Sequence, residues 1–206
     1  MARRIIFIFL FISLGCFRYA FGDTEFWSVN TFQYPIRERV KLNLIPELRF
    51  RDNLAELYYF QTYIGPQLSL SKTFDLNFYY AVNLSKNGSA WASPKSLGYL
   101  DAIFKYQFPW FYFNERTRFE YDISSDTLKI RNFYQFKIGS WCAGDELFYN
   151  FKKGFNDEGR ATVGYSTKII GDLDLTLRYM LRRQKQNSTD DWSRTNVINV
   201  DIKIIL

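Results

Sequence analysis

Few side chains of this sequence could carry out chemistry, because its 206 residues include no histidine. Histidine is the usual general base near neutral pH and a common metal ligand. Asp145 and Glu146 are adjacent carboxylates in a predicted strand, but neighbours in a strand point to opposite faces. Cys142 could act as a nucleophile, yet it has no histidine to activate it. We therefore predict a protein that is not an enzyme and that holds no metal and no cofactor.

Arginines and carboxylates follow a clearer pattern, because they recur at alternate positions and share one face of each segment. If these faces line an interior, that interior carries 14 basic and seven acidic side chains. The candidate lumen residues are Arg49, Arg116, Arg118, Arg131, Arg160, Arg178, Glu47, Glu120 and Glu146. Rings of basic side chains select anions in pores, whereas ion pairs and water can fill a narrow barrel. Both a plugged lumen and an anion-preferring pore remain open at this point.

The elements that carry these residues are β-strands, because apolar and polar residues alternate through most of the chain. In 198–206, for example, Ile198, Val200 and Ile202 share one face while Asn199 and Asp201 share the other. Eleven segments are candidate strands: 26–34, 40–51, 56–70, 74–84, 96–107, 111–121, 127–138, 141–151, 158–169, 173–182 and 195–206. We therefore predict an all-β domain.

The first 22 residues have the pattern of a signal peptide, with Arg3 and Arg4 before an apolar run and Ala20-Phe21-Gly22 as a cleavage site. Its removal takes away three arginines (27 − 3 = 24), so 24 basic and 21 acidic residues give a net charge of +3. This modest charge does not favour nucleic acid as a partner. We predict a signal peptide over 1–22 and one domain over 23–206, with Cys142 as its single cysteine.

The lengths of the connections between strands indicate which kind of barrel the strands form. Short turns such as Gly139-Ser140 alternate with longer connections such as 183–194, and aromatic residues such as Trp110 and Tyr149 lie near the strand ends. Outer-membrane barrels have these features, and an amphipathic last strand fits them too. We predict an antiparallel up-and-down transmembrane β-barrel. Because such barrels have an even strand number and the rhythm of 26–34 is poor, ten wall strands are the first choice and twelve the second.

Three polar residues interrupt the apolar face of consecutive strands, namely Glu115, Asn132 and Asp145. In a meander these strands are neighbours, so the three residues should form a polar stripe on the outer wall. A charge that faces lipid is costly unless it is paired, protonated or covered. Either the stripe meets lipid headgroups, or a second protein docks against that wall.

Several stretches of the chain are shared with a known family, namely Trp27, Pro46–Phe50, Asn114–Phe119, Leu128–Asn132, Glu146–Asn150, and Tyr179 with Arg182. In these features the chain resembles an outer-membrane β-barrel family catalogued as domain of unknown function 2490. The resemblance implies a fold and a compartment but no catalytic residue.

Together these patterns predict an integral outer-membrane β-barrel protein that serves solute passage or envelope structure. Its expected partners are outer-membrane lipid and the barrel-insertion machinery, with protein docking at the stripe as a further interpretation. The alternative is a soluble secreted or periplasmic β-barrel that binds an apolar ligand.

Overall fold

The computed structural model describes residues 24–52, 54–152, 155–185 and 192–206, so the predicted signal peptide lies outside the described residues. Twelve strands form within these ranges: β1 (Thr24–Arg37), β2 (Val40–Arg51), β3 (Glu56–Ser69), β4 (Phe74–Asn87), β5 (Ala90–Trp91), β6 (Lys95–Gln107), β7 (Tyr112–Asp122), β8 (Thr127–Ile138), β9 (Trp141–Asn150), β10 (Phe155–Ile170), β11 (Leu173–Lys185) and β12 (Trp192–Ile205). None of the described residues belongs to a helix long and apolar enough to cross a membrane.

Eleven of the described strands close into a barrel, and the two-residue β5 pairs with the end of β4. Wall strands that are consecutive in the chain pair antiparallel, whereas β1 closes the ring parallel to β12, with Phe26 opposite Ile198 and Phe32 opposite Ile204. The predicted all-β barrel is confirmed. The predicted counts of ten and twelve strands are wrong, and the wall is not antiparallel throughout.

The predicted number of wall strands is wrong because the pattern of β1 is irregular. Trp27 and Val29 line the lumen, so Ser28 and Asn30 are on the opposite, outward face of the strand. These two polar residues, joined by a 3.1 Å hydrogen bond from Asn30 Nδ2 to Ser28 Oγ, interrupt the apolar outward pattern. The even-number rule assumes antiparallel closure, and the parallel β1–β12 pair removes that requirement.

The connections divide between the two ends of the barrel, and the two-residue turns 38–39, 139–140 and 171–172 all lie at one of them. The turns 38–39, 70–73, 108–111, 139–140 and 171–172 lie at one end, which we call the turn side. Gly139 and Gly171 have φ of +56° and +53°, which suits two-residue hairpin turns. The connections that follow β2, β4, β7, β9 and β11 lie at the other end, the loop side. Because it is parallel to β12, β1 begins at the loop side and ends at the turn side.

The wall separates an apolar outside from a polar inside. Among the described residues, 30 large hydrophobic side chains are exposed, whereas 17 polar or charged side chains are buried. Inward positions carry residues such as Arg118, Arg131 and Glu146, and outward positions carry residues such as Val163 and Leu177. The charged groups of the inner face therefore meet in the lumen.

Candidate functional site: the lumen of the barrel

The centre of the lumen is organised around the buried carboxylate of Glu146 on β9. It accepts hydrogen bonds from guanidinium groups on β7, β8 and β10, those of Arg116 (2.7 Å), Arg131 (3.2 Å) and Arg160 (3.0 Å). Alternation places all four side chains on the inner face, and the register sets Arg160 directly opposite Glu146. The carboxylate of Glu146 therefore links its own strand, β9, to three other strands.

A second cluster lies on the adjoining side and is centred on Trp27, which is only 2% exposed. The guanidinium carbon of Arg49 lies 3.7 Å from the centre of the indole, and that of Arg160 lies 4.9 Å from it. Such cation–π contacts are strong when they are desolvated. The indole also donates a 2.8 Å hydrogen bond to Glu25, so β1 contributes the centre of this cluster.

Arg49, Arg118 and Arg182 pair with carboxylates other than Glu146. Arg118 donates two hydrogen bonds, of 2.6 and 2.7 Å, to Asp101, and the Nε of Arg49 lies 2.6 Å from Glu47. Arg182 donates to Glu158 at 2.9 and 3.3 Å. Bidentate pairing of this kind matches the shape of guanidinium to that of carboxylate.

We call this set of ion pairs the arginine layer. It comprises six arginines and six carboxylates: Arg49, Arg116, Arg118, Arg131, Arg160 and Arg182, with Glu25, Glu47, Asp101, Glu120, Glu146 and Glu158. Opposite charges are therefore equal in number. Buried charges are tolerated only when they are paired and hydrogen-bonded, and this balance meets that condition.

The arginine layer separates two cavities that share no lining residue. A cavity of about 700 Å³ extends from the layer to the turn side, and one of about 370 Å³ lies on the loop side. Arg49 borders the first and Tyr59 the second, and the guanidinium of Arg49 lies 4.1 Å from the Tyr59 ring. Arg131 and Glu120 meet in the same way at 3.4 Å. Side chains of the arginine layer that border the first cavity therefore contact side chains that border the second.

The larger cavity, which we call the turn-side vestibule, has a different charge balance. Its lining near the turn side includes Lys137, Lys168 and Lys203 together with Asp174. Arg178 also lines it and is paired with Asp201, and it donates a 3.2 Å hydrogen bond to Asn199. The predicted lumen residues are therefore divided: Arg178 lies in the vestibule, and the other eight lie in the arginine layer.

Sequence reasoning missed several residues that complete the layer. The poor rhythm of 26–34 does not predict that Trp27 lies in the lumen, and Tyr63 and Tyr99 do not stand out in aromatic-rich segments. Their rings lie 5.1 Å apart, and Arg118 contacts both rings at 5.4 and 4.8 Å. The detectable signal was parity, because Tyr59, Gln61 and Tyr63 all occupy inward positions of β3.

On the outer wall, the structure aligns two residues of the predicted polar stripe. Glu115 lies opposite Tyr134, which lies opposite Asp145, so the two carboxylates sit in one row across three strands. Asn132 is two residues nearer the loop side and accepts a 3.0 Å hydrogen bond from Thr117. Within the described residues, no basic group lies within ion-pair distance of either carboxylate.

The two candidate catalytic groups do not form a catalytic arrangement. Asp145 is exposed on the outer wall while its neighbour Glu146 is buried in the lumen, so the wall separates the two carboxylates. Cys142 is buried on the inner face. The described residues contain no group of three or more cysteine, aspartate and glutamate side chains placed to hold a metal ion.

Comparison with known proteins identifies the family. A family model described as "Protein of unknown function (DUF2490)" matches residues 24–194, which is most of the chain. The chain therefore belongs to this family. A search of curated proteins finds no match.

Proposed function

We propose that this member of the DUF2490 family is an integral outer-membrane β-barrel with a closed lumen, and that its role is structural in the envelope rather than enzymatic. The observation that carries the proposal is the inverted distribution of side chains. Among the described residues, thirty large hydrophobic side chains are exposed, which is far more apolar surface than the single patch that a typical soluble monomer exposes. A hydrocarbon environment would bury them without any further protein.

The outward aromatic residues also support a membrane environment. Trp110 and Trp141 lie near the turn side, and Tyr121 and Tyr149 lie near the loop side. Trp141 and Tyr149 are eight residues apart on one strand, about 27 Å along it and about 21 Å along an axis tilted by about 40°. Known transmembrane barrels have aromatic girdles around an apolar band of about 25 Å.

The alternative, a soluble barrel that binds an apolar ligand, has less support. Such a barrel needs an apolar interior, whereas this lumen is filled by arginines and carboxylates. Catalysis has little support either, because the chain has no histidine and its lumen carboxylates are engaged by arginines.

Replacement of Val163 by arginine would test the membrane environment. Val163 is 50% exposed and lies near the middle of β10. In lipid the change should cost about 2–4 kcal/mol, whereas on a water-exposed surface it should stay within about 0.5 kcal/mol. The measurement is the free energy of unfolding in urea with phospholipid vesicles, and Val163→Leu is the matched control. Recovery of the wild type in the soluble periplasmic fraction, with an unaffected arginine variant, would reject the proposal.

A planar-bilayer recording tests the closed lumen separately. The wild type should show no discrete conductance steps, because the arginine layer divides the two cavities. Trp27→Ala combined with Arg49→Ala should open a path, while Trp110→Ala, which alters an exposed tryptophan outside the lumen, should remain closed. Stepwise conductance by the wild type would contradict closure without bearing on membrane insertion.

A further inference from the structure

The turn-side vestibule contains three lysines that lack an acidic partner. Lys137, Lys168 and Lys203 line it, and within the described residues no carboxylate lies within 4.0 Å of their ammonium groups. Lys137 instead donates a 3.3 Å hydrogen bond to the hydroxyl of Ser166. This contrasts with the arginine layer, where every guanidinium is matched by a carboxylate.

The acids of the vestibule cannot neutralise these lysines. Asp201 is already paired with Arg178. Asp174 is opposite both Lys168 and Lys203 in the strand register, so one carboxylate faces two ammonium groups. Outside the arginine layer, the charged lining of the vestibule is the three lysines and Arg178 against two aspartates, a net charge of +2.

Hydrogen-bond donors are in excess as well. The Nε atoms of Arg116 and Arg178 are buried and have no hydrogen-bond partner in the protein, and both residues line the vestibule. Thr176 donates to Ser166 at 3.0 Å, which leaves the Ser166 hydroxyl free to donate in turn. Buried donors are normally satisfied, so a set of them beside unpaired cations is chemically suited to an anion with several oxygens.

We propose that the turn-side vestibule binds a small, soluble phosphate ester. A phosphate group offers several acceptor oxygens and up to two negative charges, which matches the lysines, the Ser166 hydroxyl and the guanidinium of Arg178. The cavity of about 700 Å³ is much larger than a phosphate alone and falls in the usual range of small-molecule sites. Ile45, Phe133 and Met180 supply apolar lining for an organic group. This inference goes beyond the closed envelope barrel and does not depend on it.

Titration calorimetry on the folded barrel in a zwitterionic detergent tests the site, with phenyl phosphate as the probe. We expect saturable binding at one site per barrel that weakens as salt is raised. Inorganic phosphate should bind more weakly than phenyl phosphate, and phenol should not bind. Anionic-lipid vesicles added to the phenyl phosphate titration should not compete for the site, because the site lies inside the wall.

The variant Lys168→Gln/Lys203→Gln should weaken phenyl phosphate binding by about tenfold for each lysine removed. Lys72→Gln is the matched control, because Lys72 is exposed in a turn at the same end and lies outside the vestibule. Lys168→Arg/Lys203→Arg keeps both charges and should retain binding within a few-fold, and it serves as the test if the glutamine variant does not fold. Absence of saturable binding, equal weakening by Lys72→Gln, or equal binding of phenol would overturn the proposal.

Discussion

Replacement of Glu146 by glutamine would test the energetics of the arginine layer. Glutamine keeps the size of the side chain but removes the charge shared by Arg116, Arg131 and Arg160. Breaking a buried ion pair by removing one partner costs about 3–5 kcal/mol, because the other charge stays buried. We therefore expect the free energy of unfolding to fall by several kcal/mol.

The contacts of the three arginines refine that magnitude. Arg131 would keep Glu120 at 3.4 Å, and Arg160 would keep Glu158 at 2.7 Å. Arg116 has no other carboxylate within 4.0 Å among the described residues, so it alone would be left uncompensated. The expected loss is therefore near the lower end of that range, about 3 kcal/mol.

A double-mutant cycle would locate the origin of the loss. If the orphaned Arg116 is the main penalty, adding Arg116→Gln to Glu146→Gln should recover roughly half of it or more, a coupling energy of at least about 1.5 kcal/mol. The assay is urea unfolding followed by tryptophan fluorescence, and Glu38→Gln in the exposed turn 38–39 is the control. A loss below about 1 kcal/mol for Glu146→Gln, or independent effects of the two substitutions, would refute the reasoning.

Two crosslinking experiments address the outside of the barrel, both in a cysteine-free background. Cysteines at Asn30 and Ile202, which are direct partners in the parallel pair, should form a disulfide, because paired strands lie within bridging distance. Cysteines at Asn30 and Ile198 are four residues out of register and should stay reduced; the reverse result would contradict parallel closure. Cysteines at Glu115 and Asp145 should crosslink to a second protein in intact membranes if the polar stripe is a docking surface. Exclusively monomeric product with full labelling by a headgroup-level reagent would instead indicate that the stripe meets lipid headgroups.

Much of the wall follows from local sequence, because side-chain alternation has the same period as the strand. Parity alone assigns Arg49, Arg131 and Glu146 to the inside and Val163 and Leu177 to the outside. Short turns such as Gly139-Ser140 also indicate that consecutive strands pair as neighbours. These properties depend on residues that are close in the chain, so a single sequence carries enough information to predict them.

The closure of the barrel could not be predicted in the same way. It pairs β1 with β12, whose partners Phe26 and Ile198 lie at opposite ends of the domain, and no local pattern indicates a parallel pair. The side chains that each lumen arginine contacts could not be predicted from the sequence either. Arg49 and Arg160 come from β2 and β10 and meet at Trp27, which depends on the width of the barrel and the stagger of its strands.

The strand β1, which is the eleventh strand of the wall, affects both the width of the barrel and the packing of side chains in its lumen. A barrel widens as strands are added, and about eight strands already enclose a space that side chains can fill. β1 widens the ring by one strand, and it also supplies Trp27, the large side chain that three lumen arginines contact. β2 and β12 run in opposite directions, so ten strands could close antiparallel without β1, but that smaller barrel would lack the indole at the centre of the Trp27 cluster. The strand that breaks the even-number rule is therefore also the strand that supplies the centre of the Trp27 cluster.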